Sequence, residues 1–400
     1  MMAIAEANML ERLKAQLIRN YNHPFYRKKF EEAGLRPEEI KTIEDIQKLP
    51  FMTRDELIQQ FLENPPFGGF MSEDVVRIHF SPSPKGLIPV LLTKNDVEAM
   101  NQANAEAFRR AGVKRDDIAL ITFGYHIFIA GLMFHGGLEK LGVKVVAVGP
   151  GSTEKTLEIA EKVKPTVLVS NPSFALKLTK EGLEGIRVFI AAGEPFSSIE
   201  GYKDKLRDAF GGDVTLIDYY GLAECTPIAC ECAHEKGLHV VDDFCYVEII
   251  DPETGEVVSE GEKGEVVVTH LNKEAMPMQR FRTGDLARLE VFECECGKEI
   301  TMPTGVFGRT DEMYKVKGVK FYPSQIPLIL RGFGLSGKFR VIIEKTEKGT
   351  DYLKLQIEGK DVDVEAIKRA IKDATLITPN EIELVEKLEK DREVLDLRYS

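Results

Sequence analysis

Between residues 97 and 218 the chain alternates helix-length segments with short β-branched runs, a pattern that few folds can accommodate. Helical spacing over 97–111 precedes Ile118-Ala-Leu-Ile-Thr-Phe, and a helix over 127–141 leads into Val143-Lys-Val-Val-Ala-Val. A helix over 153–163 precedes Thr166-Val-Leu-Val-Ser. Arg187-Val-Phe-Ile-Ala-Ala, a helix over 198–210 and Val214-Thr-Leu-Ile-Asp complete the series. Apolar runs without polar alternation, joined by helical crossovers, call for a parallel sheet covered on both faces. Ligands of such sheets bind at the carboxyl ends of the strands. The segments there are Gly149-Pro-Gly-Ser, Asn171-Pro-Ser, Gly193-Glu-Pro-Phe and Tyr220-Gly-Leu-Ala-Glu. All four are rich in turn residues and are taken as the rim of one pocket.

The flanks read differently. Residues 1–65 are helical and charged: Leu10, Leu13 and Leu17 keep helical spacing, and Thr42-Ile-Glu-Asp and Thr53-Arg-Asp-Glu each look like an N-capping start. This part is expected to be a packed helical appendage. From about 230 to 305 the texture is antiparallel. Asp251-Pro-Glu-Thr-Gly turns between Tyr246-Val-Glu-Ile-Ile and Glu256-Val-Val, and Gly264-Glu-Val-Val-Val-Thr follows. Beyond 309, strands at 339–344 and 352–357, a helix at 362–373 and a strand at 381–386 suit a small ferredoxin-like α+β domain. The expected division is a large α/β domain, 1–308, holding the parallel sheet and an antiparallel subdomain, and a small mobile domain, 309–400.

Charge and cysteine usage exclude several classes. Lys and Arg total 53 against 65 Asp and Glu, a net charge of −12 that argues against a nucleic-acid-binding protein. No apolar run is long enough to span a membrane, and the first segment reads as an amphipathic helix, not a signal peptide, so a cytoplasmic location without membrane contact is expected. The six cysteines all lie between 225 and 296. In a cytoplasmic chain such clustering points to a metal and away from a disulfide scaffold.

Three short patterns carry chemistry in combination. Tyr219-Tyr-Gly-Leu-Ala-Glu224 is a strand end, a glycine and a carboxylate; Arg282-Thr-Gly-Asp285 is a turn with an Arg–Asp pair; Gly308-Arg-Thr-Asp311 precedes Lys315-Val-Lys317-Gly318. Each alone is also an ordinary loop. Their order and spacing, with Asn22-His-Pro-Phe-Tyr-Arg, Leu49-Pro-Phe-Met-Thr-Arg-Asp-Glu-Leu, Asp74-Val-Val-Arg-Ile-His and Val319-Lys-Phe-Tyr-Pro-Ser-Gln, resemble the adenylate-forming superfamily of acyl-CoA synthetases, most closely its phenylacetate-CoA ligase branch.

That resemblance implies a two-step reaction: a carboxylate and ATP give an acyl-adenylate and pyrophosphate, then the thiol of CoA displaces AMP. It assigns Mg²⁺ to Glu224, the ribose hydroxyls to Asp285, ribose or phosphate to Arg309, and the hinge of the small domain to Asp311. Gly193, Glu194 and Pro195, with Asp218 and Tyr219, would frame the adenine, next to Tyr220 and Gly221. Lys390 falls where the family has its C-terminal catalytic lysine, and Lys317 joins the nucleotide contacts. Phe123-Gly-Tyr125-His126 and Phe134 would line the acyl pocket, where aromatic residues beside glycines suit a flat aryl acid. Some members of the branch bind zinc, and Cys232, His239, Cys294 and Cys296 supply four ligands for a closed structural site, with His234 and Cys230 as alternates. Homodimers are common in the branch.

The chain departs from the family at the phosphates. The family's Ser-Ser-Gly-Thr-Thr-Gly-Lys loop is here Ser81-Pro-Ser-Pro-Lys-Gly-Leu87, keeping only Ser81 and Gly86. Two prolines delete backbone N–H donors and both threonine hydroxyls are gone, while Lys85 restores some positive charge. Ala223 replaces a hydroxyl residue, and the pattern before Lys390 is shortened. These departures keep two alternatives open: a scaffold or ligand sensor that has lost phosphate handling, and a CoA-independent adenylyltransferase related to coenzyme F390 synthetase.

Overall fold

The computed structural model describes residues 2–70, 74–83, 86–310, 314–316, 319–346, 351–375, 377–390 and 392–398. Contacts divide the chain into a larger unit (Met1–Glu194, Leu206–Thr283 and Arg288–Gly305) and a smaller one (Pro195–Lys205, Gly284–Ala287 and Val306–Ser400). The main piece of the smaller unit begins at Val306, and two short pieces of the chain's middle group with it.

The larger unit is organised on one nine-stranded sheet. Five parallel strands run Lys144–Ala147, Ile118–Ile121, Val167–Ser170, Val188–Ala191 and Thr215–Tyr220 across the sheet. Val167–Ser170 and Val188–Ala191 are buried at every residue, as strands covered on both faces must be. The helices between them are Lys94–Arg110, Ala130–Leu141, Thr153–Val163, Pro172–Lys180 and Tyr202–Ala209. Pro172–Lys180 is a helix that the sequence pattern does not predict.

One expectation needs correcting here. The stretch 230–305 divides between two sheets. Ala229–Glu231 pairs antiparallel with the end of Thr215–Tyr220, and Leu238–Val240, Ile300–Met302 and Glu290–Val291 continue outward, so these residues lengthen the parallel sheet. Cys245–Ile250, Gly264–His270 and Phe281–Ala287 are consecutive strands of a separate antiparallel sheet.

The helical N-terminal part packs through Leu13, Leu17, Phe30, Ile40, Ile46 and Leu49 onto Leu271. Gln16 fastens it by donating to the Lys273 carbonyl at 2.8 Å and accepting the Lys273 N–H at 2.7 Å. Thr53 opens helix Arg54–Glu63 with a complete capping box. Thr42 does not act as a cap: Asp45 accepts the N–H groups of Lys41 and Thr42 and starts a 3₁₀ turn, Glu44–Lys48. Next comes a hairpin of β1 (Val75–Ser83) and β2 (Gly86–Thr93).

The smaller unit pairs Phe339–Lys345 with Asp351–Glu358, then adds Glu381–Val385 and Arg392–Asp396 as parallel edge strands. Helices Ile326–Gly332 and Val364–Thr375 cover its core of Phe321, Phe339, Val341, Leu355 and Ile371. The last strand falls in what the sequence presented as a charged tail.

Candidate active site and metal cluster

Three of the four rim segments of the larger unit converge on Phe123. A Cβ on Gly193, whose φ is +77°, would meet Asn171 Nδ2 at 2.8 Å and the Phe123 ring at 3.5 Å, so only glycine fits. A Cβ on Gly149 would lie 3.8 Å from the Phe123 carbonyl and 3.9 Å from the Tyr125 ring. Glu194 is tied down by Ser173, whose N–H and hydroxyl donate to its two oxygens at 3.1 and 2.6 Å. Asp218 is buried and its N–H donates to Glu231 at 2.8 Å. Pro195 opens the piece that clusters with the smaller unit.

Glu224 follows the strand end Tyr220-Gly221. Its side chain has no accessible surface. Oε1 accepts from Arg54 Nε at 3.3 Å, and Oε2 has no hydrogen-bond partner among the described residues. Arg54 also donates to the Thr283 carbonyl at 3.0 Å and lies over the Phe281 ring. An orphaned, buried carboxylate oxygen demands an explanation, and a bound cation is one that suits its chemistry. In sequence Arg54 is part of a capping signature, and its place in the Leu49–Leu57 motif is the mark of a further role.

Two aromatic assignments are corrected. Phe134 is 1% exposed, stacked on Phe123 at 5.3 Å and Phe108 at 5.9 Å. It occupies the inward stripe of Ala130–Leu141 and has no surface to offer a substrate. The Tyr219 side chain likewise points into the core, its hydroxyl 2.8 Å from both Asn104 Oδ1 and Thr226 Oγ1 and its ring 4.9 Å from Phe134. Burial pushes its phenol well above the usual value. Tyr125 is half-buried, with its hydroxyl 3.2 Å from His135 Nδ1; burial, then Glu139, raises it to about 12. His126 is exposed and edges onto Phe128. Tyr220 and Gly221 flank the pocket loop; a Cβ on Gly221 would strike Thr226.

Ser81 is buried near the end of β1 and Gly86 opens β2, while Lys85 lies outside the described residues, as do Asp311 and Lys317. In the smaller unit, Asp285 and Arg309 are cross-strand partners, and Arg309 Nη1 donates to Asp285 Oδ1 at 2.6 Å. Gly284, φ +77°, leaves room for that guanidinium: a Cβ would come within 2.8 Å of Nη2. Lys390 is exposed and paired with Glu393 at 2.6 Å.

Cys232, His239, Cys294 and Cys296 come together, their ligand atoms all within 4.8 Å of one another. The Cys232 and Cys294 sulfurs are 3.7 Å apart. Zinc–thiolate bonds of about 2.3 Å give a tetrahedral edge of about 3.8 Å. The sulfurs of Cys232, Cys294 and Cys296 accept backbone N–H bonds from His234, Cys296 and Lys298. Burial, then Arg110 and Lys298, lowers His239 to about 4, so its ring is neutral. Nδ1 lies 2.9 Å from Thr301 Oγ1, and Nε2 is buried without a partner among the described residues. A ligand histidine needs this arrangement, one nitrogen fixed and one bare. The set fits a tetrahedral metal; Cys230 and His234 stand outside it.

Residues 84–272 match the family model described as AMP-binding enzyme. The chain is 33% identical over 363 residues to phenylacetate-coenzyme A ligase of Thermus thermophilus, covering 87% of this chain and 80% of that protein. It is 35% identical over 336 residues to the Pseudomonas putida enzyme of the same name, covering 80% and 74%. The chain belongs to the phenylacetate-coenzyme A ligase family. Among solved structures, 2-hydroxyisobutyryl-CoA ligase in the postadenylation state with R3-HIB-AMP superposes with a TM-score of 0.82 at 25% identity, over 98% of this chain and 89% of that one. The same ligase with 2-HIB-AMP and CoA in the thioesterification state gives 0.74 at 26%, over 99% and 90%. Among the described residues no helix is long and apolar enough to cross a membrane.

Proposed function

We propose that this chain is an ATP-dependent carboxylic acid–CoA ligase acting through an acyl-adenylate, with a flat aryl acid as substrate. The observation that carries this reading is Glu224, a fully buried carboxylate with one oxygen on Arg54 and the other bare, at the carboxyl end of a parallel strand. Glu224 would hold Mg²⁺, which supplies charge neutralisation for the phosphates when bound. Arg54 fixes the carboxylate's orientation. Asp285, steadied by Arg309, would accept the ribose hydroxyls, and the Gly193–Glu194 turn, pinned by Asn171 and Ser173, would receive the adenine. Lys390 would leave Glu393 to stabilise charge on the reacting carboxylate and α-phosphate, while Asp311, Lys317 and Lys85 keep the roles expected from sequence. Tyr125 and the Phe123 edge support an aryl acid.

Cys232, Cys294 and Cys296 and His239 Nε2 would hold a structural zinc. Incubating the purified chain with ATP, CoA and a panel of aryl and aliphatic acids tests the main reading. Expected is one AMP per thioester with an aryl acid such as phenylacetate. Release of ADP, or no acid-dependent AMP from any acid, contradicts it.

A further inference from the structure

The turn that carries Tyr125 and the helix that follows it are built against each other. A Cβ on Gly131, in the first turn of Ala130–Leu141, would strike the Gly124 carbonyl, so backbone meets backbone there and only glycine allows it. That close approach brings Tyr125 beside the helix, its ring edge-on to His135 with centroids 5.7 Å apart. The same ring reaches the pocket rim, its Cδ2 standing 3.9 Å from where a Cβ on Gly149 would lie.

Three polar groups then form a chain. His135 and Glu139 stand one turn apart on one face of the helix. His135 Nε2 is 3.1 Å from Glu139 Oε1, and Nδ1 is 3.2 Å from the Tyr125 hydroxyl. A carboxylate only accepts, so in the neutral imidazole the proton belongs on Nε2 and Nδ1 is left as an acceptor. The Tyr125 phenol keeps its proton, because burial and then Glu139 raise it to about 12, and it donates that proton to Nδ1. Its oxygen then has lone pairs to offer its surroundings and no hydrogen. Each bond in such a chain polarises the next, which makes the oxygen a better acceptor than an isolated phenol. Stability does not account for the chain: the His135 and Glu139 side chains are 26% and 64% exposed, where such a pair contributes little.

We propose that His135 and Glu139 are positioning residues that make Tyr125 an acceptor toward the acyl substrate, and that the preferred acids are aryl acids carrying a hydrogen-bond donor, a hydroxyl or amino group, on the ring. The inference rests on the aryl acid–CoA ligase reading and narrows its substrate class. A donor on the ring satisfies the phenol oxygen. A bare ring takes water from that oxygen and returns nothing, and a ring whose polar atom only accepts sets lone pair against lone pair. Sites that hydrogen-bond a substrate hydroxyl reject the analogue lacking it far more sharply than apolar pockets reject by size.

The test measures acid-dependent AMP formation with ATP and CoA at about pH 8, where imidazole is neutral. The acids are meta- and para-hydroxyphenylacetate, their fluoro counterparts, phenylacetate and the pyridylacetates, whose ring nitrogen only accepts. Wild type should favour a hydroxy acid over its fluoro counterpart by about tenfold or more in kcat/KM, and should use the pyridylacetates less well than phenylacetate. Tyr125→Phe should bring the hydroxy-to-fluoro ratio to about one. His135→Leu frees the phenol O–H, and Glu139→Gln lets the imidazole carry its proton on Nδ1. Both should lower the ratio by about threefold or more and raise the use of pyridylacetates relative to phenylacetate. A merely structural His135 would lower every acid alike and leave the ratios where they were. Melts establish folding, and Glu139→Gln, at an exposed position, gives the readout if His135→Leu does not fold. A ratio near one for both hydroxy acids in wild type, or an unchanged ratio in folded variants, overturns the proposal and leaves the ligase reading standing. AMP formation with aliphatic acids alone overturns the aryl reading along with it, and no AMP from any acid overturns the ligase reading itself.

Discussion

Glu224 shares one oxygen with Arg54 and leaves the other without a partner among the described residues, so each partner's removal has its own signature. Glu224→Gln should keep the fold and lower kcat/KM for adenylation about 100-fold or more, as losses of a charge-stabilising group at a reacting phosphate do. Arg54→Met strands a buried carboxylate and should lower stability by about 3–5 kcal/mol. Saturating Mg-ATP should return part of that loss, because a ligand of the folded state stabilises it; melts with and without Mg-ATP read both effects. Asp117 offers a pH test away from the site. Burial alone would raise its carboxyl, but Arg187, the Lys114 N–H and the Thr166 hydroxyl outweigh burial and hold it below the usual 3.8. A depressed carboxyl contributes stability above its unfolded value and loses it as pH falls. The melting-temperature gap between wild type and Asp117→Asn should therefore be full above about pH 5 and shrink as the pH drops below 3.8. At this scale the gathering of Cys232, His239, Cys294 and Cys296 was legible, because clustered sulfur-bearing residues have few other uses, whereas the Arg282–Asp285 turn misleads: Asp285 pairs with Arg309 and Arg282 with Glu265. The inward placement of Phe134 and Tyr219 was not legible. An aromatic at helical or strand spacing looks the same in sequence whether it faces a ligand or, as here, Phe108 and Asn104.

At the scale of elements, the parallel strands announce themselves because both faces are covered, so Val167–Ser170 is apolar nearly throughout. Ala229–Glu231 and Leu238–Val240 span three residues each; the first owes its pairing to the preformed edge at Tyr219 and Tyr220 and the second to the first, which no local pattern records. Arg392–Asp396 is similar: it is a strand because Phe339–Lys345 offers it a parallel partner. Helix starts divide in the same way. Thr53 and Thr42 carry the same signature, and in both the acid three residues on accepts the threonine N–H, yet only the Thr53 hydroxyl completes the box by accepting the Glu56 N–H. Thr53→Ala should lower stability by about 1 kcal/mol. It should also raise KM for Mg-ATP, because the first turn of that helix places Arg54 against Glu224.

For the molecule as a whole, the cysteine–histidine cluster lies by the outer strands of the nine-stranded sheet, its members from 232–239 and from 294–296 joining segments far apart in sequence. We expect about one zinc per chain by elemental analysis. His239→Ala should lose it and lower the melting temperature by several degrees, as should prolonged chelation. The strands after 339 form their own core. That Pro195–Lys205 and Gly284–Ala287 group with them was not legible in the sequence, because pieces separated in sequence carry no shared mark. The central claim is that this fold, with its altered phosphate loop, still makes an acyl-adenylate. Its most direct test is acid-dependent exchange of labelled pyrophosphate into ATP, without CoA, by wild type and Glu224→Gln. The account predicts exchange that requires an aryl acid and collapses in the variant. Exchange indifferent to acid, or none with any acid in a folded, zinc-loaded sample, would contradict it.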